Sequence, residues 1–120
     1  MFLGFDIGTS GVKALLIDAD GGIIASASAS LDVARPHPGW SEQAPADWWD
    51  AVNKTALALA QDHADSMAFV RGIGLSGQMH GMVALDKNDN VLRPAILWND
   101  TRNAAEAKEL DDAFSDYRII

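Results

Sequence analysis

Asp6 sits among apolar residues in the stretch GFDIGTSGVK, residues 4–13, with small, hydroxyl-bearing and glycine positions directly after it. A carboxylate at a strand end followed by Gly8, Thr9, Ser10 and Gly11 can form a metal-and-phosphate corner. Glycines let backbone N–H groups approach phosphate oxygens, and hydroxyls add donors. Asp6 would hold Mg²⁺ directly or through water, because hard cations take oxygen ligands. Lys13 would set a positive charge near a transferring phosphoryl group. A plain hairpin turn whose Asp accepts backbone hydrogen bonds explains the same residues, and spacing alone does not separate the two. Phe2, Leu3, Phe5 and Ile7, then Val12, Leu15, Leu16 and Ile17, predict two strands buried on both faces. A lone buried carboxylate is costly, so Asp6 calls for a positive partner.

A second group lies in GLSGQMHGM, residues 74–82, where glycines bracket Gln78, Met79 and His80 just after an apolar run. An amide and an imidazole can bond several hydroxyls of a polyol while a thioether packs its apolar face. Spacing alone favours a plainer reading of the same residues, a glycine-rich bend with a satisfied surface histidine. His37, His63 and His80 lack metal-ligand spacing, which argues against zinc. The third group is HPGWSEQ with WNDTR. Trp40 or Trp98 could stack on a sugar, and Asn99, Asp100 and Arg102 could hydrogen-bond one. Asn99 and Asp100 are also common helix caps, and tryptophan is often core, the reading adopted for Trp48 and Trp49. Asp111, Asp112 and Asp116 read as a solvated face.

These groups must be positioned by the elements between them. Residues 2–7, 12–18 and 23–30 predict three strands joined by GTSG and DADGG, whose Asp-Gly and Gly-Gly pairs suit tight turns. The segment DVARPHPGWSEQAP is irregular, since Pro36, Pro38 and Gly39 interrupt regular structure. Pro45 suits a first helical position, and Trp48, Val52, Thr55 and Leu59 recur at helical spacing, predicting a helix over 45–62. Residues 69–76 predict a fourth strand, and GMVALD and VLRPAILW flank KNDN as a hairpin. NDTRNAAEAKELDDAF predicts a helix capped by Asn99 or Asp100, with Ala107, Leu110 and Phe114 as its apolar stripe. In YRII another strand would begin. The expected sheet joins the first three strands as antiparallel neighbours, with the fourth parallel to the first. Asp6 and the loop after Ser76 then share one edge.

With 120 residues the chain is one domain at most, or part of a larger one, and 48% hydrophobic residues suffice for a packed core. A net charge of −8 argues against nonspecific nucleic-acid binding, which needs clustered Lys and Arg. No run approaches the roughly 20 apolar residues of a spanning helix, and no basic segment precedes an apolar run at the N-terminus. Zero cysteines exclude a disulfide framework and thiolate metal sites, and a reducing, cytoplasmic setting is the expectation.

Taken together, GFDIGTSGVKALLID, ARPHPGWSEQAP followed by WW, GIGLSGQMHG and RPAILWNDTR resemble the FGGY carbohydrate kinases, most closely those acting on xylulose. The first motif is shared across the actin-like ATPases; SGQMHG with PAILWNDTR is far more specific. Ala34 stands where the family often has a hydroxyl residue. The resemblance implies an α/β, ribonuclease H-like domain: a β-β-β-α-β core with an inserted hairpin, incomplete at the C-terminus. It makes residues 1–120 the N-terminal part of kinase domain I, with the rest of that domain and domain II absent. It implies ATP and Mg²⁺ as cofactors and the 5-hydroxyl of D-xylulose as phosphoryl acceptor, with gluconate or another pentulose as alternatives. No nucleic-acid or membrane partner is implied, and a homodimer stays open. Asp6 falls in the metal and phosphate site, Gly8, Thr9, Ser10 and Lys13 line the phosphates, and Met79 and His80 match a sugar-contacting pair. Gln78, Asn99 and Asp100 join them as substrate-binding candidates. The Asp that accepts the proton of the substrate hydroxyl, and the adenine pocket, lie beyond position 120 in this family. The fragment alone is therefore expected to be inactive. A free-standing sugar- or nucleotide-binding module and a purely structural domain are the readings from other classes.

Overall fold

The computed structural model describes residues 1–114. Four strands, β1 (Phe2–Ile7), β2 (Gly11–Ile17), β3 (Ile23–Ser30) and β5 (Ile73–Gly77), make one mixed sheet in the order β3-β2-β1-β5. β1–β2 and β2–β3 are antiparallel, and β5 runs parallel to β1, as expected. Between β3 and β5 come β4 (Glu42–Gln43), α1 (Pro45–Asp62) and the single turn α2 (Ala64–Met67). β6 (Ala95–Ile96) and α3 (Ala104–Ala113) follow β5.

Period-two alternation divides the sheet into two unlike faces. Leu3 and Phe5 of β1 and Val12, Ala14 and Leu16 of β2 are buried with Leu31, Ala51 and Leu59 in one core. α1 lies across that face, over β3 and β2 and just reaching β1. Ala25, Ala27 and Ala29 of β3 pack against this core, and their small side chains let the helix sit close. α1 starts at Pro45, whose missing N–H costs nothing at a first position, with Asp47 in the first turn against the positive end of the dipole. Burying a side chain such as Leu59, at 2% exposure, contributes about 1.5–3 kcal/mol.

The opposite face departs from the expectation of strands buried on both sides. Phe2, Asp6 and Lys13 are exposed there, and Leu15 and Ile17 are half-covered. Asp6 is therefore solvated, and its charge does not require a protein cation to offset burial. On the α1 side, the helix stops short of β5, leaving Ile73 and Leu75 exposed at 64% and 75%.

Other boundaries shift for local reasons. β2 ends at Ile17 because Asp18 turns the chain, its Oδ1 accepting from the Asp20 and Gly22 amides. β5 begins at Ile73 rather than at residue 69: the turn that closes α2 takes up the Phe69 and Val70 amides, which donate to the Ser66 and Met67 carbonyls, and Phe69 is exposed. The irregular segment contains β4, which pairs with β6 and is too short to show a pattern. The expected hairpin after β5 survives as two isolated antiparallel bridges, Leu85–Val91 and Met82–Ile96, around the Asp86–Asn90 turn, while Ala95 and Ile96 form their ladder with β4. The last helix starts at Ala104, with Asn103 at its N-cap making no side-chain bond. Neither Asn99 nor Asp100 caps it, and its Leu110 and Phe114 are exposed rather than packed. Trp48 packs on the core, but Trp49 is 66% exposed and is not a core residue. The strand expected at YRII and the role of Asp116 lie outside the described residues.

Candidate functional site

Because β5 is parallel to β1, with Asp6 beside Ser76 and Ile7 beside Gly77, both strands end at one edge of the sheet. The β1–β2 turn, residues 8–10, and the loop after β5, residues 78–81, leave from that edge together. Glycines allow close backbone approach at this end of the sheet, Gly77 between β5 and β1 and Gly11 between β2 and β3. A Cβ on Gly77 would lie 2.7 Å from the Ile7 carbonyl, and one on Gly11 would lie 2.7 Å from the Ala29 carbonyl. Only glycine lets the backbones approach so closely. The Gln78 amide then donates to the Ile7 carbonyl at 2.8 Å.

The turn closes through the Gly8 amide, which donates to the Gly11 carbonyl at 3.0 Å. Among the described residues the Thr9 and Ser10 amides have no protein acceptor, and Ser10 is exposed. Adjacent unpaired N–H groups in a turn suit an anion. Around the edge, on the open face, Asp6 pairs in register with Lys13 on one side and Ser76 on the other. These three line a cleft of about 380 Å³. Asp6 makes no side-chain hydrogen bond or ion pair among the described residues, so its oxygens are available to a hard cation. A single carboxylate beside an anion-binding turn suits Mg²⁺, which keeps several waters and takes one or two carboxylates plus phosphate oxygens. Among the described residues no three His, Cys, Asp or Glu side chains gather into a fuller metal site.

The Thr9 hydroxyl faces the other way. It donates to Gln78 Oε1 at 2.9 Å and accepts from the Trp98 indole at 3.2 Å. A turn of one chemistry is thus bonded to a loop of another. Beyond it, His80, Met82, Trp98, Asp100 and Arg102 line a cleft of about 400 Å³. His80 holds a left-handed φ of 67°, uncommon for a residue with a Cβ. Met79, Trp98 and Asn99 are exposed.

Asp100 is the candidate whose oxygens are already engaged. Its carboxylate accepts from Arg102 at 2.8 and 2.6 Å and from the Ser41 amide at 2.6 Å. The Arg102 guanidinium holds the Asp100 carboxyl well below the usual carboxylate range, and Asp100 in turn raises Arg102. Arg102 also reaches Glu42 at 2.8 Å and stacks on Trp40, 3.6 Å from the ring centroid. This cluster ties the segment around Trp40 to the segment around Trp98.

The buried amide of Gln43 was not among the sequence candidates. It lies in β4, bonded to four separate segments. The segment's polar composition gave no sign of it, since only burial distinguishes a structural glutamine from a surface one.

Residues 1–119 match the model of the FGGY family of carbohydrate kinases, N-terminal domain. The chain belongs to the FGGY family. Over its full length it is 51% identical to a xylulose kinase of Klebsiella pneumoniae, covering 24% of that protein. The solved structure of a xyloylose (xylulose) kinase from Brucella ovis superposes with a TM-score of 0.92 at 55% identity, over 95% of this chain and 24% of that one. A gluconate kinase from Lactobacillus acidophilus superposes with a TM-score of 0.85 at 29% identity, over 98% and 24% respectively. The chain thus spans about a quarter of the length of the curated relatives it matches. The sheet of this FGGY domain is the mixed α/β arrangement of the ribonuclease H-like, actin-like ATPases. No helix among the described residues is long and apolar enough to cross a membrane.

Proposed function

We propose that these residues are the N-terminal part of domain I of an ATP-dependent kinase that phosphorylates D-xylulose at its 5-hydroxyl. The observation that carries this reading is the shared sheet edge. The parallel pairing of β1 with β5 brings an anion-suited turn and a polyol-suited loop together, and the Thr9–Gln78 hydrogen bond joins them. A sugar kinase needs such an adjacency, because phosphoryl transfer depends on positioning and charge stabilisation more than on covalent chemistry by the protein.

In this reading the Thr9 and Ser10 amides, the Ser10 hydroxyl and Lys13 bind the phosphates of ATP across Gly8. Asp6 would hold Mg²⁺, which when bound neutralises phosphate charge. His80, Met79, Gln78 and Asn99 bind the sugar, with Trp98 offering a ring face. Asp100 serves the same cleft through Arg102, since its own oxygens are bonded. The base that takes the proton of the attacking hydroxyl belongs to a further part of the protein, as does the adenine pocket. The setting is cytoplasmic.

A coupled ADP-release assay on the full-length protein, with D-xylulose, D-gluconate and other pentuloses in parallel, tests the proposal. Preference for D-xylulose is expected. Preference for D-gluconate would move the assignment to the reading favoured by the likeness to a gluconate kinase structure. ATP turnover with none of these sugars would overturn both.

A further inference from the structure

Gln43 is 3% exposed, and its carboxamide uses every bond it can make. Nε2 donates to the Thr9 carbonyl at 2.7 Å and to the Asp32 carbonyl at 3.0 Å. Oε1 accepts from the Trp48 indole at 2.9 Å and from Gln78 Nε2 at 3.0 Å. The two donations and two acceptances fix which way the amide points. One side chain thus joins the β1–β2 turn, the segment after β3, helix α1 and the loop after β5. Gln78 closes a ring, because its Oε1 accepts from the Thr9 hydroxyl while its Nε2 donates to Gln43. Trp98 hangs on the ring through Thr9.

No regular element spans these four segments at this end of the sheet. β1 and β5 have ended, and β4 contributes only Glu42 and Gln43. The turn and the loop leave the sheet as separate excursions, and loops carry little rigidity of their own. The backbone ties them only at their roots, where the Gln78 amide donates to the Ile7 carbonyl and the Leu31 amide to the Ser10 carbonyl. Beyond those bonds their relative placement rests on the ring of amide bonds centred on Gln43.

We propose that Gln43 is a positioning residue that holds the Thr9 turn and the Gln78 loop at one fixed separation, so that a group bound at the turn meets a group bound at the loop. The inference rests on the proposed sugar-kinase reading for its effect on turnover, but not for its effect on structure. Misplacing reacting groups by about 1 Å can cost roughly 10²-fold in rate.

The experiment uses the full-length protein and two variants. Gln43→Met keeps the side chain's length and volume while removing all four bonds. Gln43→Glu keeps the two acceptances and loses both donations to carbonyls, and serves if the first variant fails to fold. Kinetics are run with ATP and D-xylulose at a temperature where circular dichroism shows each variant folded. The expected result is a kcat about 10²-fold lower, with KM for both substrates within about threefold. A residue that only stabilises the fold would lower the melting temperature and leave kcat per folded molecule unchanged. A second readout needs no activity: the ¹⁵N indole signals of Trp48 and Trp98. Trp48 touches Gln43 directly, whereas Trp98 is reached only through Thr9, so both signals should move. Turnover within threefold of wild type, or a Trp98 signal that stays in place while Trp48 shifts, would overturn the inference. If the wild-type protein phosphorylates no sugar, the functional reading fails, and the Trp98 signal alone decides for or against Gln43.

Discussion

His80 offers a test in which stability and activity should separate. Its φ of 67° is a conformation that costs an L-residue about 1–2 kcal/mol. Glycine adopts it without steric cost, but it gives up roughly 0.5–1 kcal/mol more backbone entropy on folding than alanine does. Alanine at position 80 keeps the strain and loses the imidazole; glycine loses both. The difference leaves His80→Gly more stable than His80→Ala by roughly 0.5–1 kcal/mol. Measured side by side by thermal unfolding, that is a gap of about 1–4 °C for a domain of ordinary size. Sugar use should respond differently. If the imidazole bonds a buried sugar hydroxyl, its loss costs about 1–3 kcal/mol in either variant. Then kcat/KM for D-xylulose should fall about 5- to 150-fold in both, while basal ATP hydrolysis largely survives. Two results would refute this reasoning. One is an alanine variant at least as stable as the glycine variant, which would mean that no strain is held at residue 80. The other is sugar use within twofold of wild type in either variant, which would remove His80 from the sugar site.

Three further outcomes are expected of the full-length protein. Asp6→Asn should lower kcat by roughly 10²-fold or more, the scale of losing one preorganised electrostatic group, and near-normal turnover at saturating Mg²⁺ would contradict the metal role. Gly77→Ala would force a Cβ to within 2.7 Å of the Ile7 carbonyl. Parting β1 from β5 there should destabilise by about 1–3 kcal/mol in a denaturant titration, while Gly74→Ala, with open space at its Cβ, should change little. The depressed Asp100 carboxyl contributes stability that is fully present above its unfolded value near 4 and fades as pH falls toward its lower folded value. Asp100→Asn should therefore be less stable at pH 7 and show a shallower loss on acidification below pH ~4, read by thermal unfolding across that range.

α1 was legible because burial imposes a helical period on it, with Thr55 and Leu59 four residues apart, and β1 and β2 were legible as short apolar runs between turns. The two-residue alternation of buried Leu3 and Phe5, then Val12, Ala14 and Leu16, belongs to the structure. Residues 2–7, 23–30 and 45–62 were bounded as the structure has them. Where the structure differs, no period was available. β4 is two residues long, and its register is set by distant Ala95 and Ile96. The cap assigned to Asn99 or Asp100 went wrong because residue type allows capping but does not compel it. Arg102 and the Ser41 amide compete for the Asp100 carboxylate and win it. The open face of β1 was misread because Phe2, Leu3, Phe5 and Ile7 are apolar on both sides of the strand. Composition cannot say which of two apolar faces is covered by the chain in hand.

The candidate site was legible residue by residue but not as an arrangement. GTSG and GQMHG each carry a composition that glycine, hydroxyl and imidazole chemistry makes readable. Their adjacency follows from one topological fact, the parallel return of β5 to β1, which the order of elements already implied. What no local pattern could reveal is the middle of the site. Gln43 stands between a buried Glu42 and Ala44 in a stretch read as irregular, yet its amide bonds segments from Thr9 to Gln78. A residue whose role is to hold others apart at a fixed distance has no chemistry of its own to announce. Its signature is a saturated set of bonds in a buried place, and that is a property of coordinates. A glutamine suits the position because it alone, with asparagine, offers two donors and two acceptors without charge. Its longer stem lets one amide reach both the turn and the loop, so the two chemistries legible in the sequence become one site.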